Sequence, residues 1–504
     1  MRRRAFLGLL LAAPTLAVVG LDTVTPAWAR PRPVPPSVTR LRLHGIERGA
    51  RSALRTAAAP GRQLLLANAP RDTEGFSLLG VTWLPDPGVQ VAVQARTRSD
   101  GRWSGWLPLE AQGEHRPDDV ALGQRDGTAP RWVGPSDGVQ VRVDSLGGPA
   151  PRDVRIELVD PGTSAADGFA RPRSTAFAET DQPAIITRAE WGADETIRNG
   201  SPSYNSTVKV GFVHHTASSN DYTQEQAAAM VRGIYAYHVQ SNGWSDIGYN
   251  YLVDRYGRAY EGRAGGLDRF VVGAHTGGFN QDSFAVSLLG DFTSVPPSEA
   301  TLDKTSSLLS WKLGAAYREP TGTAVLVSAG GGTSRYPAGQ SATFSIISGH
   351  RDAGNTSCPG ATTYARLGDL RAQASRKLGA GFVDPALAGG TTTYARGSKG
   401  PVVLSSSARG ALQWTATVSD SAGELLQTRV GSVAAGGTLT SSWDLTDAAG
   451  EPVKPGTYVV RLTGSGEGDR ALPWSRQVVV KGKPCRGTPL QRAACTIEKL
   501  GTGG

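Results

Sequence analysis

The sequence predicts a multidomain chain. A central α/β domain, with a mixed β-sheet flanked by helices, lies between an N-terminal all-β domain and a C-terminal β-sandwich of immunoglobulin-like size. Three observations carry this. A length of 504 residues allows roughly three domains at about 150 residues each. Short apolar–polar alternations between Gly, Asp and Pro turns occupy the early and late parts of the chain. In the middle, strand-like apolar runs alternate with helical ones. Hydrophobic residues at 39% and charged residues at 19% suit packed domains rather than a disordered chain.

Residues 1–29 read as a targeting segment. Arg3-Arg4-Ala5-Phe6-Leu7 is a twin-arginine pattern, an apolar run follows from Leu7 to Val19, and Ala27-Trp28-Ala29 offers a cleavage site. The apolar run is too short to span a bilayer comfortably, and no other approaches about 20 residues. The expected mature chain is therefore exported, by the twin-arginine route, with no transmembrane segment. The net charge of +9 becomes +7 once Arg2, Arg3, Arg4 and Asp22 are removed. That excess suits an anionic polymer such as a bacterial wall, but ordinary solubility charge accounts for it as well.

A Pro-rich tether, RPRPVPPSVTR, leads into a β-rich domain of unknown function over 38–165. VQVAVQARTR (89–98) and VQVRVDSL (139–146) alternate as half-buried strands. PRWVGPSDGVQVRV echoes VTWLPDPGVQVAVQ, which suggests an internal repeat. Trp103 and Trp106 surround a Ser-Asp-Gly turn. They form either a carbohydrate platform or turn and core packing, and packing is the preferred reading. A Pro/Ser/Thr-rich linker over about 161–182 precedes the central domain, 183–378. There VKVGFVHHTAS ends a strand on a polar tip, and YTQEQAAAMVRGIYAYHVQ is helical, with Thr223 and Gln226 as a capping box. FSIISGH is a strand ending on His350. Residues 395–482 form the sandwich, and a tail follows over 483–504.

The chain has three cysteines. Cys485 and Cys495 are close in sequence and are expected to form a disulfide in the exported tail. Cys358 is then left over, in GHRDAGNTSCPG. A lone Cys is commonly a small buried hydrophobe. His350, eight residues earlier across a Gly- and Asn-containing loop, suggests instead that both hold a metal. A third ligand would come from His214, His215, His238 or His275, since His44 and His115 belong to the N-terminal domain.

Five segments occur in one order: EWGADE, VGFVHHTAS, SNGWSDIGYNYLVDRYGRAYEGR, VVGAHTGGFN and GHRDAGNTSCPG. Together they resemble the peptidoglycan recognition protein and type 2 N-acetylmuramoyl-L-alanine amidase family. The resemblance implies a central sheet flanked by helices. It also implies a zinc hydrolase cutting the amide between the lactyl group of muramic acid and L-alanine, with peptidoglycan as partner and no role for nucleic acid. Matched position by position, it implies Zn2+ held by His214, His350 and Cys358, with Tyr249 catalytic. Thr356 matches a position that is Lys in phage lysozyme relatives and often Thr in recognition-type amidases. Non-catalytic members typically lack the Cys, so a binding-only protein is the alternative. His215 and Thr216 would line the substrate groove, His215 facing the core being the other option, and Arg263 would pair with a stem-peptide carboxylate or simply be a surface arginine. His238 is expected to be structural and His275 to organise a loop. AGGLDRF departs from the animal proteins where they discriminate stem peptides, so no preference carries over. The run WDLTDAAGEPVKPGTYVVRL resembles the Ig-like module of flagellar hook-assembly proteins.

Overall fold

The computed structural model describes residues 32–50, 62–86, 88–111, 123–164, 167–168, 182–331, 334–396, 400–466 and 470–482. The targeting segment and the Cys485/Cys495 tail lie outside the described residues. No helix among the described residues is long and apolar enough to cross a membrane.

The N-terminal domain is one branched nine-stranded sheet. Its strands are β1 (Ser37–Arg42), β2 (Leu64–Ala67), β3 (Arg71–Trp83), β4 (Gln90–Ser99), β5 (Arg102–Trp103), β6 (Leu107–Leu109), β7 (Asp126–Gly127), β8 (Arg131–Gly147) and β9 (Arg155–Asp160). The two echoing segments do not repeat one structure. Trp83 closes β3 before the turn into β4, whereas Trp132 and its Gly-Val-Gln-Val lie within the single strand β8. The echo arises because β4 and β8 pair with each other, Ala95 opposite Val141, and so need the same alternation. Trp103 and Trp106 are half-buried beneath Arg96, whose guanidinium lies 5.0 and 5.3 Å from their ring centres.

The central sheet has the order β10 (Ile185–Ile186), β13 (Ala259–Glu261), β12 (Tyr251–Val253), β14 (Ser283–Leu288), β11 (Val210–His215), β17 (Ile347–Gly349). Within this sheet only the β12–β13 pair is antiparallel; β15 (Thr323–Val327) and β16 (Ser341–Ser345) form a separate two-stranded antiparallel sheet. Helices cover both faces, which is why β11 and β14 are buried along their whole length. Helix α1 (Gln226–Ala236) packs on one face, and α2 (Glu299–Ala315) with α5 (Leu367–Leu378) on the other. The short α3 (His350–Ala353) and α4 (Ala361–Ala365) flank the cysteine loop. Only half of the expected capping box forms before α1: Thr223 N–H donates to Gln226 Oε1 at 2.9 Å. The residue at the cap itself is Glu225, with no side-chain bond to the helix. Beyond α1 the chain continues as a π-helical turn, Tyr237–Ser241.

All but one residue of α1 is buried, which one sheet face alone does not achieve. The N-terminal domain supplies the second wall. Strand alternation in β3 and β9 turns Leu79 and Leu158 into their own core, while Leu78 and Val159 join Trp132 against α1. Polar ties seal the seam. Arg232 donates to both Asp167 oxygens at 2.7 Å, Trp132 N–H to Ser218 Oγ at 2.6 Å, and Tyr237 O–H to the Thr128 carbonyl at 3.0 Å. A Cβ at Gly80 would lie 2.4 Å from the Tyr237 hydroxyl oxygen, so only glycine fits beneath that ring. Asp167 thus anchors a segment that composition alone marks as linker.

The C-terminal region holds a three-stranded sheet, β18 (Gly381–Leu387), β20 (Val402–Arg409) and β23 (Thr438–Trp443). A five-stranded sheet of β19 (Thr393–Ala395), β25 (Arg470–Lys481), β24 (Gly456–Ser465), β21 (Leu412–Ser419) and β22 (Leu425–Val433) shares one core with it, around Trp443, Leu462 and Trp474. Its first strand, β18, starts at Gly381 and pairs with β20.

The N-terminal and central domains are expected to unfold in one calorimetric transition. Trp132→Ala should cost about 3–5 kcal/mol and lower that shared transition. Separate transitions for the two domains would contradict a common core.

Candidate metal centre

Strands β11 and β17 run parallel, with Val213 opposite Gly349. The next residue of each is a histidine, so the register sets His214 beside His350 at the carboxyl ends of both strands. Their ring centres are 4.6 Å apart. Cys358 returns to the same point on a latched loop. Arg351 N–H donates to the Cys358 carbonyl at 2.9 Å, and Cys358 N–H donates to Thr356 Oγ1 at 2.9 Å. Gly360 has φ +84°, and a Cβ there would lie 2.3 Å from the Phe292 carbonyl carbon, so only glycine lets the loop pass.

One ligand atom from each of His214, His350 and Cys358 lies within 4.8 Å of the others, and all three residues are buried. Cys358 Sγ is 3.6 Å from His214 Nδ1. A tetrahedral zinc ion with the usual Zn–S and Zn–N lengths separates such atoms by about 3.6 Å. Two imidazoles and a thiol are also the donors this ion favours. The residues therefore fit zinc. Cys358 is a free thiol here, not half of a disulfide. Its sulfur accepts the His215 N–H at 3.4 Å.

Behind the ligands lies a chain that sequence reasoning missed. With Nδ1 turned to the metal position, the His214 proton belongs on Nε2, which faces Thr276 Oγ1 at 3.2 Å. The Thr276 hydroxyl faces His275 Nδ1 at 2.9 Å. Asn280 Oδ1 accepts the N–H groups of both His275 and Thr276, at 2.8 and 3.0 Å. The only sequence signal was the run GAHTGGFN, in which His275 looked like a loop residue. It does organise that loop, and it also ends this relay.

Tyr249 is 1% exposed, its ring 5.6 Å from that of His214 and 5.8 Å from that of His238. His238 is structural, as expected: it stacks on Trp244 at 4.4 Å, and its Nδ1 accepts the Gly248 N–H. His215 points away from the metal ligands. It is buried, its Nδ1 accepts the Phe292 N–H at 3.3 Å, and its Nε2 faces Glu110. Thr216 Oγ1 accepts the Gly290 N–H at 3.0 Å. Arg263 is neither a free surface residue nor an open ligand: it donates to the Ile247 carbonyl and to Ser245 Oγ, at 3.1 and 2.9 Å. Burial pulls its pKa below the ordinary arginine value.

The sheet, with two imidazoles and a thiol converging at its carboxyl edge, defines an α/β domain with a candidate metal centre. A family model described as N-acetylmuramoyl-L-alanine amidase matches residues 204–361. Peptidoglycan-recognition protein SC2 of Drosophila simulans is 31% identical over 184 residues, spanning 36% of this chain and 84% of that protein. The chain belongs to the peptidoglycan recognition protein family through this central domain. Human N-acetylmuramoyl-L-alanine amidase is 39% identical over 126 residues, 24% of this chain and 20% of that one. Among solved structures, the PGRP-LCa and PGRP-LCx ectodomain complex bound to tracheal cytotoxin matches at 28% identity and a TM-score of 0.29, over 36% of this chain and 93% of that one. Residues 38–169 match a second model, described as Rv3811 N-terminal galactose-binding domain-like.

Thr276→Val removes the partner of His214 Nε2 while keeping the side-chain shape. Zinc affinity, read by chelator competition, should fall about 10–100-fold.

Proposed function

We propose that this protein is an exported, zinc-dependent N-acetylmuramoyl-L-alanine amidase that hydrolyses the amide between muramic acid's lactyl group and L-alanine. The buried cluster of His214, His350 and Cys358 carries this reading. Bound zinc supplies Lewis acidity and makes a nucleophilic water available at neutral pH. The remaining work falls to the chain. His214 presents Nδ1, held in that orientation by Thr276, and Cys358 presents its sulfur against the His215 N–H. Tyr249, buried beside His214, donates its O–H to the oxyanion that develops on the lactyl carbonyl. Thr356 assists from the edge of the cysteine loop, where its oxygen already holds the Cys358 N–H. Burial of His214, His350 and Cys358 strengthens the interactions they make.

Export by the twin-arginine route rests on the Arg3-Arg4 pattern, and the tail disulfide on the proximity of Cys485 and Cys495. The two-sheet C-terminal region we read as an Ig-like accessory module, on the strength of its WDLTDAAGEPVKPGTYVVRL run. Peptidoglycan is the partner. The retained thiol favours hydrolysis over recognition alone.

Incubating the protein with purified peptidoglycan should release stem peptides with a free alanine amine, identified by mass spectrometry. A chelator or Cys358→Ala should abolish the release. Binding to the wall with no new ends would sink the enzyme reading in favour of recognition. Tyr249→Phe should lower kcat by about 100-fold or more while leaving zinc content unchanged.

A further inference from the structure

We propose that Glu110, supplied by the N-terminal domain, is a positioning residue for the metal centre: its carboxylate clamps together the two segments that carry His214 and Cys358. The inference rests on the zinc reading above and adds a residue from outside the amidase-type domain.

The seam between the domains delivers Glu110 to this point. The first residues of β8 run along the exit of β11, where Trp132 N–H donates to Ser218 Oγ and Arg131 donates to the Ala217 carbonyl at 3.3 Å. Glu110 lies beside that strand, its carbonyl accepting the Ala129 N–H at 2.7 Å. Its side chain then reaches the cysteine loop. Ser357 Oγ donates to Glu110 Oε1. The other carboxylate oxygen, Oε2, sits 3.7 Å from His215 Nε2, an electrostatic contact rather than a hydrogen bond.

Each partner neighbours a ligand. His215 follows His214, and Ser357 precedes Cys358. One carboxylate therefore touches both segments, which are 143 residues apart between His215 and Cys358. The two segments also meet at the sulfur itself, which accepts the His215 N–H and faces the His214 ring. The loop is also tied to the rest of the domain: Thr362 N–H donates to the Phe292 carbonyl at 3.1 Å, and Arg335 N–H to the Ala353 carbonyl at 2.9 Å. These ties act at Ala353 and Thr362, on either side of Ser357 and Cys358. The Glu110 clamp adds a tie at Ser357 itself, one that needs no metal. A ligand set held at its working separation loses less freedom on binding, and so binds more tightly.

The test uses the full chain and two readouts. In the metal-free protein, the rate of Cys358 alkylation is followed by peptide mass spectrometry. In the zinc-loaded protein, metal release to a chromophoric chelator is timed. Glu110→Ala and Ser357→Ala should each speed alkylation several-fold and weaken zinc binding about 10-fold. The double variant should do no more than either alone, because the two residues share one interaction. Glu110→Gln keeps an acceptor for Ser357 and should restore most of the effect. Alkylation of Glu110→Ala within about twofold of the parent, in a chain whose melting curve is unchanged, would overturn the proposal, as would additive effects in the double variant. A parent chain that holds no zinc would instead defeat the zinc reading, and the alkylation rates would still decide the role of Glu110.

Discussion

Hydrogen bonding between two parallel strands is the constraint on which the metal centre depends. The β11–β17 ladder pairs Val213 with Gly349, and that register alone brings two imidazoles together from positions far apart in sequence. A slip by one residue would turn one histidine to the opposite face. The slip is barred because both faces of the sheet are buried, Val213 and Ile347 toward α2 and α5 and Phe212 toward Phe344. Helix packing on the sheet is therefore a precondition of the chemistry at its edge.

Polar groups around the ligands then set what each atom can do. A buried cysteine in apolar surroundings would keep its proton. Cys358 instead sits against a backbone N–H and two imidazoles, polar surroundings suited to a metal ligand. His214 is held from behind by Thr276, which chooses the nitrogen it offers. These second contacts come from segments 60 or more residues away, so the domain must be nearly complete before the ligand set is correct.

What the sequence made legible follows from range. Motifs within one turn or loop were readable: the histidine pair ending β11 and the loop from His350 to Cys358. The alternation of β4 and β8 was readable too, although the pairing behind it looked like a repeat. Contacts spanning domains were not. Nothing local in Leu78, Trp132 or Val159 says that they leave their own core for α1, since a strand alternates in the same way whether its outer face meets water or a helix. His215 was open between groove and interior for a related reason: alternation says that it opposes His214, but not what lies on that side.

The seam at Gly80 bears on how such a chain can be reassembled by recombination. Tyr237 fills the space that any other residue at position 80 would need, so the two partners across this boundary are constrained to vary together. A foreign front half joined at residue 183 would meet a helix with an uncovered greasy flank and an aromatic ring with nowhere to settle. The rear junction is joined by ties of another kind, among them the Tyr317 hydroxyl on the Pro473 carbonyl and the Arg318–Asp384 ion pair. An exchange of parts at the front of this protein has to carry positions 80 and 237 together.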